Sequence, residues 1–164
     1  LGFEKSRSPY QVVSVETDKS VRIGQLQLDL RLDRIDQMED GSQLVIDYKS
    51  GTATTAGWRL PRLSDPQLPL YASTVDNASG IALMQISEER STLIGVGEHE
   101  IHGLSNSQDF GFETFKDLAN AWNSYLKDTA TSFVNGYAAV DPIDKTICRR
   151  CHLQGLCRVF DGDN

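Results

Sequence analysis

Three charged residues stand out because they interrupt apolar runs of the sequence. Asp33 lies among leucines and an isoleucine in the segment RLDRID, and Asp47 and Lys49 end the run LVIDYK. Charged groups beside apolar segments are costly unless they are paired, hydrated or bound to a metal. Converging carboxylates favour a divalent cation, and a neighbouring lysine can position an attacking water or offset charge on a phosphate. The three residues indicate a metal-dependent site suited to phosphodiester hydrolysis; a solvated sheet face is the alternative.

Alternating apolar and polar residues predict the strands that carry these carboxylates. Residues 10–17 and 21–38 read as strands, with a break near Gly24, and residues 44–49 read as the next strand. Side chains alternate between the two faces of a strand. We therefore expect the even-numbered apolar residues on one face and the aspartates and lysine on the other.

The turn between the last two of these strands decides whether the carboxylates meet. A two-residue turn at Asp40-Gly41 would place odd-numbered residues opposite even-numbered ones and turn one leucine set away from the core. A three-residue loop or a bulge keeps equal parity and brings Asp33 to the face of Asp47 and Lys49. Core burial and clustering of the carboxylates thus require the same register, which we predict.

Four further elements complete a mixed α/β domain. They are a helix from Ser64-Asp65-Pro66 to about Asn77, strands over 80–89 and 91–101, and a helix over 112–136. The first helix begins with capping residues and a proline. The second is amphipathic, and the spacing of Phe115, Trp122 and Tyr125 assigns these residues to the core.

Composition limits the classes of protein to consider. The 164 residues fit one domain with a real core, and the formal net charge is −7. No apolar run approaches a membrane span, and no signal peptide is visible. The acidic balance argues against strong independent binding to nucleic acid. Because the first residue is Leu1 rather than Met, we expect a piece of a larger protein, with 1–164 as one domain and 142–164 as its cysteine-containing tail.

The motifs RLDRID, VIDYKSG and QLPLY together resemble the nuclease domain of the RecB and AddB type within the PD-(D/E)xK superfamily. The resemblance implies an α/β fold with a restriction-endonuclease-like core, in which helices flank a mixed central β-sheet. It also implies a catalytic helix with a Q-x-x-x-Y motif. Here that motif is Gln67 and Tyr71, which lie four apart and share one helix face. In the family these residues support the site or the DNA.

The same resemblance assigns the catalytic roles. It implies that Asp33 and Asp47 bind Mg²⁺ or Mn²⁺ together with the backbone carbonyl of Tyr48, and that Lys49 assists the attacking water. Glu16, on an earlier strand, lies about where the family often has an additional acidic ligand.

The cysteines Cys148, Cys151 and Cys157 form a separate motif near the end of the chain. An odd number of cysteines in so short a segment is a poor disulfide framework. Their C-x-x-C-x5-C spacing is similar to the group that AddB-like nucleases combine with an upstream fourth cysteine to hold a [4Fe–4S] cluster. Such clusters usually need four thiolates, and this chain has three cysteines. Structural zinc, with His152 as an awkward ligand, and free thiols are the alternatives.

Other polar and aromatic residues near the motifs have less specific interpretations. We assign Asp36, Glu39 and Asp40 to a solvated hairpin end. Trp58 and Arg59 could reach DNA by stacking and phosphate contact, and an ordinary loop anchor is equally favoured.

The resemblance implies a Mg²⁺- or Mn²⁺-dependent deoxyribonuclease, expected to be an exonuclease, that acts in DNA repair or recombination. Its expected partners are DNA and a helicase, or a helicase-like region of the parent protein, in the bacterial cytoplasm. Two other classes stay open. One is a DNA-binding or scaffold module of the same fold without catalysis, and the other is a zinc-stabilised interaction domain.

Overall fold

One mixed β-sheet forms the centre of the computed structural model, which describes residues 9–86, 91–98, 101, 103–158 and 160. Its strands are β1 Tyr10–Ile23, β2 Leu26–Met38, β3 Gln43–Lys49, β4 Ala78–Ile86, β5 Ser91–Gly97 and β6 Leu104–Ser105. They lie side by side in chain order. The pairs β3–β4 and β5–β6 are parallel, and the other neighbours are antiparallel. The predicted strands over 80–89 and 91–101 correspond to β4 and β5, and parts of both predictions lie outside the described residues.

The described helices are α1 Gln67–Ala72, α2 Phe115–Val134, α3 Lys145–Cys148 and α4 Gln154–Cys157, with 3-10 turns at Ala56–Trp58 and Ser107–Phe110. The long helix α2 begins where the Thr114 hydroxyl accepts a hydrogen bond from the Asp117 N–H at 3.1 Å. Phe115 and Trp122 are fully buried, as predicted, and Tyr125 packs against the same core. Among the described residues, no helix is both long and apolar enough to cross a membrane.

Helix α1 is shorter than the sequence predicts. It ends at Ala72 rather than near Asn77, and its N-cap, Pro66, provides no side-chain capping bond. The expected cap at Ser64-Asp65 is therefore wrong. After the helix, the hydroxyls of Ser73 and Thr74 donate to backbone carbonyls one turn earlier, at 2.7 and 2.9 Å. Such side chains compete with the backbone for helix hydrogen bonds, which favours an early end.

Two apolar clusters cover the two faces of the sheet. The helix-side core includes Leu32, Val45, Trp58, Leu68, Tyr71, Ile81, Phe115, Leu118 and Trp122. The reverse-face core includes Met38, Leu44, Ile46, Ala82, Met84, Leu93 and Ile101. Since neighbouring residues of β3 belong to different clusters, this strand is buried on both faces. The expectation of one apolar and one polar face is wrong for β3.

The hairpin between β2 and β3 has the predicted parity. Arg34 pairs with Ile46 and Gln37 with Gln43, so even residues face even residues and odd face odd. Three residues form the loop, because the Met38 N–H donates to the Ser42 carbonyl at 2.8 Å. Gly41 has a φ of 82°, which few residues other than glycine adopt readily.

The apolar residues of β2 and β3 are divided between the two faces of the sheet differently from the prediction. Leu32 lies in the helix-side core, whereas Leu44 and Ile46 lie in the reverse-face core, so the even-numbered residues do not share one face. Leu32 and Ile35 both contact the helix-side core. Side chains three apart in a regular strand point to opposite faces. Strand β2 therefore changes its inward parity between these two residues, where Asp33 lies.

Candidate active site

The two predicted metal-binding aspartates meet at the end of the β2–β3 hairpin. Asp47 is near the end of β3 and is only 3% exposed. Asp33 reaches across from β2, and its Oδ2 accepts a hydrogen bond from the Tyr48 backbone N–H at 3.0 Å. Burial raises the pKa of Asp47, the ammonium group of Lys49 lowers it, and the nearby carboxylate of Asp33 raises it further. The site thus concentrates negative charge where little water is available to stabilise it.

Lys49 supplies the positive charge of the site. Its Nζ lies 2.9 Å from Asp47 Oδ2, and its side chain is 37% exposed. The hydrogen bond to Asp47 raises the pKa of Lys49 despite the opposing effect of burial, with a further contribution from the Asp47 charge. The ammonium group therefore stays protonated at neutral pH, beside the carboxylates and still open to solvent.

Helix α1 connects the two strands of the site through Gln67 and Tyr71. The Gln67 side-chain amide donates to Asp47 Oδ1 at 3.0 Å and to the Tyr71 hydroxyl at 3.2 Å. The Tyr71 hydroxyl in turn donates to the backbone carbonyl of Arg31 at 2.8 Å. Because Gln67 and Tyr71 lie one turn apart on α1, this chain of bonds runs from Asp47 on β3 to the backbone of β2 just before Asp33.

Tyr48 lies between Asp47 and Lys49, so its side chain points to the reverse face of the sheet. Its hydroxyl accepts a hydrogen bond from Arg34 Nη1 at 3.2 Å. Its backbone N–H is the donor to Asp33. The structure therefore brings together Asp33, Asp47, Tyr48, Lys49, Gln67 and Tyr71 of the predicted site.

Glu16 is the predicted site residue that pairs elsewhere. Its Oε2 lies 2.6 Å from the Arg31 guanidinium, and both side chains are more than half exposed. Among the described residues, no three His, Cys, Asp or Glu side chains lie close enough together to hold a metal ion. Among the described residues, the two carboxylates whose charges act on each other at this site are those of Asp33 and Asp47.

Two carboxylates are a suitable donor set for Mg²⁺ or Mn²⁺. Mg²⁺ usually binds one or two carboxylates and keeps several waters, rather than filling a cage of protein ligands. A divalent cation would also relieve the repulsion by which Asp33 raises the pKa of buried Asp47. Asp33, Asp47 and the carbonyl of Tyr48 would hold such an ion.

The cysteines of the tail are all free thiols. Cys148 is buried at the end of α3, while Cys151 and Cys157 are partly exposed. The Leu153 N–H donates to the Cys151 sulfur at 3.4 Å, and the Cys157 thiol donates to the Gln154 carbonyl at 3.7 Å. These are local contacts, and the thiols do not form a metal-binding group within the described part of the chain.

Asp36 and Trp58 differ most from their sequence interpretation. Asp36 is completely buried and forms an ion pair with Arg34, so its assignment to a solvated hairpin end is wrong. The two residues are two apart on β2 and share a face, which was the sequence signal that could have shown the pair. Trp58 is 0% exposed and belongs to the core, so it cannot stack on DNA. Arg59 donates to the Asp109 carbonyl at 2.7 Å and lies over the Phe110 ring, as a loop anchor would.

Comparisons with known proteins identify a matching family and similar solved structures. The family model described as "PD-(D/E)XK nuclease superfamily" matches residues 2–158. No curated protein matches the chain. A solved structure titled "Crystal structure of SSO0001" aligns with a TM-score of 0.43 at 17% identity, covering 90% of this chain and 59% of that one. The mixed sheet with flanking helices that the sequence resemblance implies is confirmed.

Proposed function

Since the chain belongs to the PD-(D/E)XK nuclease superfamily, we propose that it hydrolyses DNA phosphodiester bonds with Mg²⁺ or Mn²⁺. The observation that carries this proposal is the convergence of Asp33, Asp47 and Lys49 at the end of β3. A buried carboxylate beside a second, partly exposed one, with one ammonium group next to them, is costly to the fold and is suited to binding a cation and a phosphate together.

The metal would be held by Asp33, Asp47 and the backbone carbonyl of Tyr48. When bound, a divalent cation stabilises the negative charge that develops on the phosphate and favours ionisation of water. Gln67 donates to one oxygen of Asp47 and so fixes the rotation of that carboxylate. Tyr71 fixes Gln67 in turn and connects both to β2.

Lys49 acts as a charged hydrogen-bond donor in this proposal. An ammonium group has three donors and no acceptor. Because its pKa is raised by Asp47, Lys49 does not take a proton from water at neutral pH. It orients the oxygen of the attacking water and offsets the charge on the phosphate, and its exposed position leaves room for both contacts.

We also propose that the chain is of the RecB or AddB type and acts as an exonuclease in DNA repair or recombination in the bacterial cytoplasm. The three motifs of the sequence support this type. A formal net charge of −7 supports a partner that supplies the basic surface for DNA, and a helicase or helicase-like region would suit that role.

The nuclease proposal is tested with the complete protein that contains this chain, using end-labelled linear DNA and circular DNA in Mn²⁺, Mg²⁺ or EDTA, because the isolated chain lacks the proposed basic surface. We expect metal-dependent release of nucleotides from linear DNA, with RNA as the comparison. Lys49→Ala should lower the rate by about 100-fold, as loss of one charge-stabilising donor usually does. Lys127→Ala is the matched control, since Lys127 is exposed on α2 beside the β1–β2 turn.

Two results would contradict the catalytic assignment. Unchanged cleavage by Lys49→Ala would remove the role given to the lysine. Binding of DNA without cleavage by the wild type, in either metal, would favour the scaffold module instead.

We further propose that Cys148, Cys151 and Cys157 bind a [4Fe–4S] cluster with a fourth cysteine from outside this chain. Their spacing supports this, and their thiols are free. The test is iron and acid-labile sulfide in the complete protein purified without oxygen, with Cys151→Ser expected to lose both. Zinc in place of iron would support the interaction-domain alternative, and absence of iron and sulfide would end the cluster proposal.

A further inference from the structure

A buried ion pair lies on the reverse face of the sheet, directly behind the candidate site. Arg34 Nε and Nη2 donate to the two carboxylate oxygens of Asp36 at 2.6 and 3.0 Å. The Asp36 side chain is 0% exposed and that of Arg34 is 11% exposed. Two parallel bonds between a guanidinium and a carboxylate fix the direction of the remaining N–H groups of the arginine.

One of these remaining N–H groups is directed at Tyr48. Arg34 Nη1 donates to the Tyr48 hydroxyl at 3.2 Å, and the guanidinium lies 5.4 Å from the centre of the Tyr10 ring. The hydroxyl of Tyr10 also hydrogen-bonds Arg34. Two phenols from different strands therefore contact one guanidinium, and only Tyr48 lies between the residues of the candidate site.

The backbone ladder between β2 and β3 does not reach Tyr48, which pairs with Met84 on the other side, in β4. Within the described residues, the β2–β3 pairing toward the site ends with Arg34 and Ile46. Beyond that pair, two hydrogen bonds among the described residues join Tyr48 to β2. The Tyr48 backbone N–H donates to Asp33, and the Tyr48 hydroxyl accepts from Arg34. The first lies on the side of the carboxylates and the second on the reverse face. Together they hold one residue of β3 from both faces of the sheet.

We propose that Arg34, fixed by Asp36, is a positioning residue for the metal site. It holds the Tyr48 phenol on the reverse face and so keeps the Tyr48 backbone at hydrogen-bond distance from Asp33. This inference rests on the proposed function. It holds that the position of the Tyr48 backbone sets the distance between Asp33 and Asp47 and the direction in which the Tyr48 carbonyl points. Positioning groups of this kind typically change metal affinity by tenfold or more when they are lost.

The test compares two variants that each remove one phenol hydroxyl from Arg34. Tyr48→Phe removes the contact next to the site, and Tyr10→Phe removes the contact on β1. Calorimetric titration of Mn²⁺ into the chain should give a dissociation constant about tenfold higher for Tyr48→Phe than for the wild type. Tyr10→Phe should bind Mn²⁺ within about twofold of the wild type, because Tyr10 lies on β1, outside the strands and the helix that carry the site residues.

Amide hydrogen exchange provides a second measurement that needs no metal. The Tyr48 N–H should exchange about tenfold faster in Tyr48→Phe, whereas the amides of β4 should keep the wild-type rate. If the Arg34 contacts served only general stability, the exchange rates of both sets of amides would change, and they would change in Tyr10→Phe as well.

The outcomes separate this inference from the proposed function. Wild-type Mn²⁺ affinity and wild-type exchange in Tyr48→Phe would overturn the positioning role while leaving the metal site intact. Absence of Mn²⁺ binding by the wild type would count against the proposed function. In that case faster exchange at Tyr48 would still support the positioning of the backbone, and unchanged exchange would overturn it.

Discussion

Replacing Asp47 with asparagine should separate what this residue costs the fold from what it contributes to metal binding. Burial raises the pKa of Asp47, with Lys49 opposing and Asp33 adding to the effect. The Asp47 carboxyl group therefore binds its proton more tightly in the folded protein than in the unfolded chain. The free energy of unfolding therefore falls as pH rises from the ordinary aspartate pKa of 3.8 through the raised pKa of Asp47. Above the raised pKa the full cost of the buried charge is present.

Asparagine at position 47 avoids the cost of a buried charge and keeps most of the contacts of the aspartate. Its side-chain oxygen can still accept the hydrogen bond from Gln67, and Lys49 is 37% exposed and can be hydrated instead of paired. Without metal at about pH 7.5, we expect Asp47→Asn to be about 1 kcal/mol more stable than the wild type, as is common when a charge kept for function is neutralised. Near about pH 3 the difference should fall toward zero, because the aspartate is then neutral as well.

Mn²⁺ should reverse the order of stability. A ligand that binds only the folded state stabilises it by about 2.7 kcal/mol at about 100 times its dissociation constant. The wild type should gain this amount and Asp47→Asn should gain nothing, because the variant lacks one of two ligand carboxylates. Urea unfolding at both pH values, in EDTA and in excess Mn²⁺, measures all four differences.

The control for the change in net charge is Asp128→Asn, an exposed position on α2. It should alter the free energy of unfolding by less than about 0.5 kcal/mol under every condition. The reasoning is refuted if Asp47→Asn is less stable than the wild type in EDTA at about pH 7.5, or if the difference does not depend on pH. A less stable variant would mean that the Lys49 pair outweighs burial, and a difference that does not depend on pH would mean that the two effects cancel.

Three further predictions concern the fold and the tail. Asp36→Asn should cost about 3–5 kcal/mol in urea unfolding, because it leaves the Arg34 guanidinium buried without its carboxylate; a cost below about 1 kcal/mol would show that water replaces the pair. Trp122→Phe should cost about 1–3 kcal/mol for the lost bond from the indole N–H to the Trp58 carbonyl at 2.8 Å, measured against Tyr137→Phe at an exposed position. NMR titration should place the carboxyl pKa of Asp144 below its ordinary value, because the Thr146 N–H and hydroxyl donate to it; a titration at or above that value would contradict the cap of α3.

The register of the site was predictable because bringing Asp33 to Asp47 required equal parity, and a three-residue loop gives that parity. Burial of one even-numbered apolar set pointed to the same register, although the structure divides that set between the two faces of the sheet. The change of inward parity in β2 was not predictable from alternation. A period of two assumes a regular strand, and between Leu32 and Ile35 the strand is not regular.

The end of α1 and the partner of Glu16 depended on contacts that local patterns do not contain. The hydroxyls of Ser73 and Thr74 end the helix by bonding to its carbonyls, although the same residues occur inside other helices. Glu16 has a φ of 49° and pairs with Arg31. This ion pair joins residues of two strands at a point of positive φ, which residue spacing alone does not give.

The buried pair of Arg34 and Asp36 is not explained by stability. Removing two charges from water costs about as much as their attraction returns, and apolar residues of similar size are often equally stable or better. The surrounding reverse-face core, with Leu44 and Ile46, would accept such residues. What an apolar pair lacks is a directed N–H group, and here that group meets the Tyr48 hydroxyl. A contact to the residue between Asp47 and Lys49 is therefore the physical reason for placing these charges inside the protein.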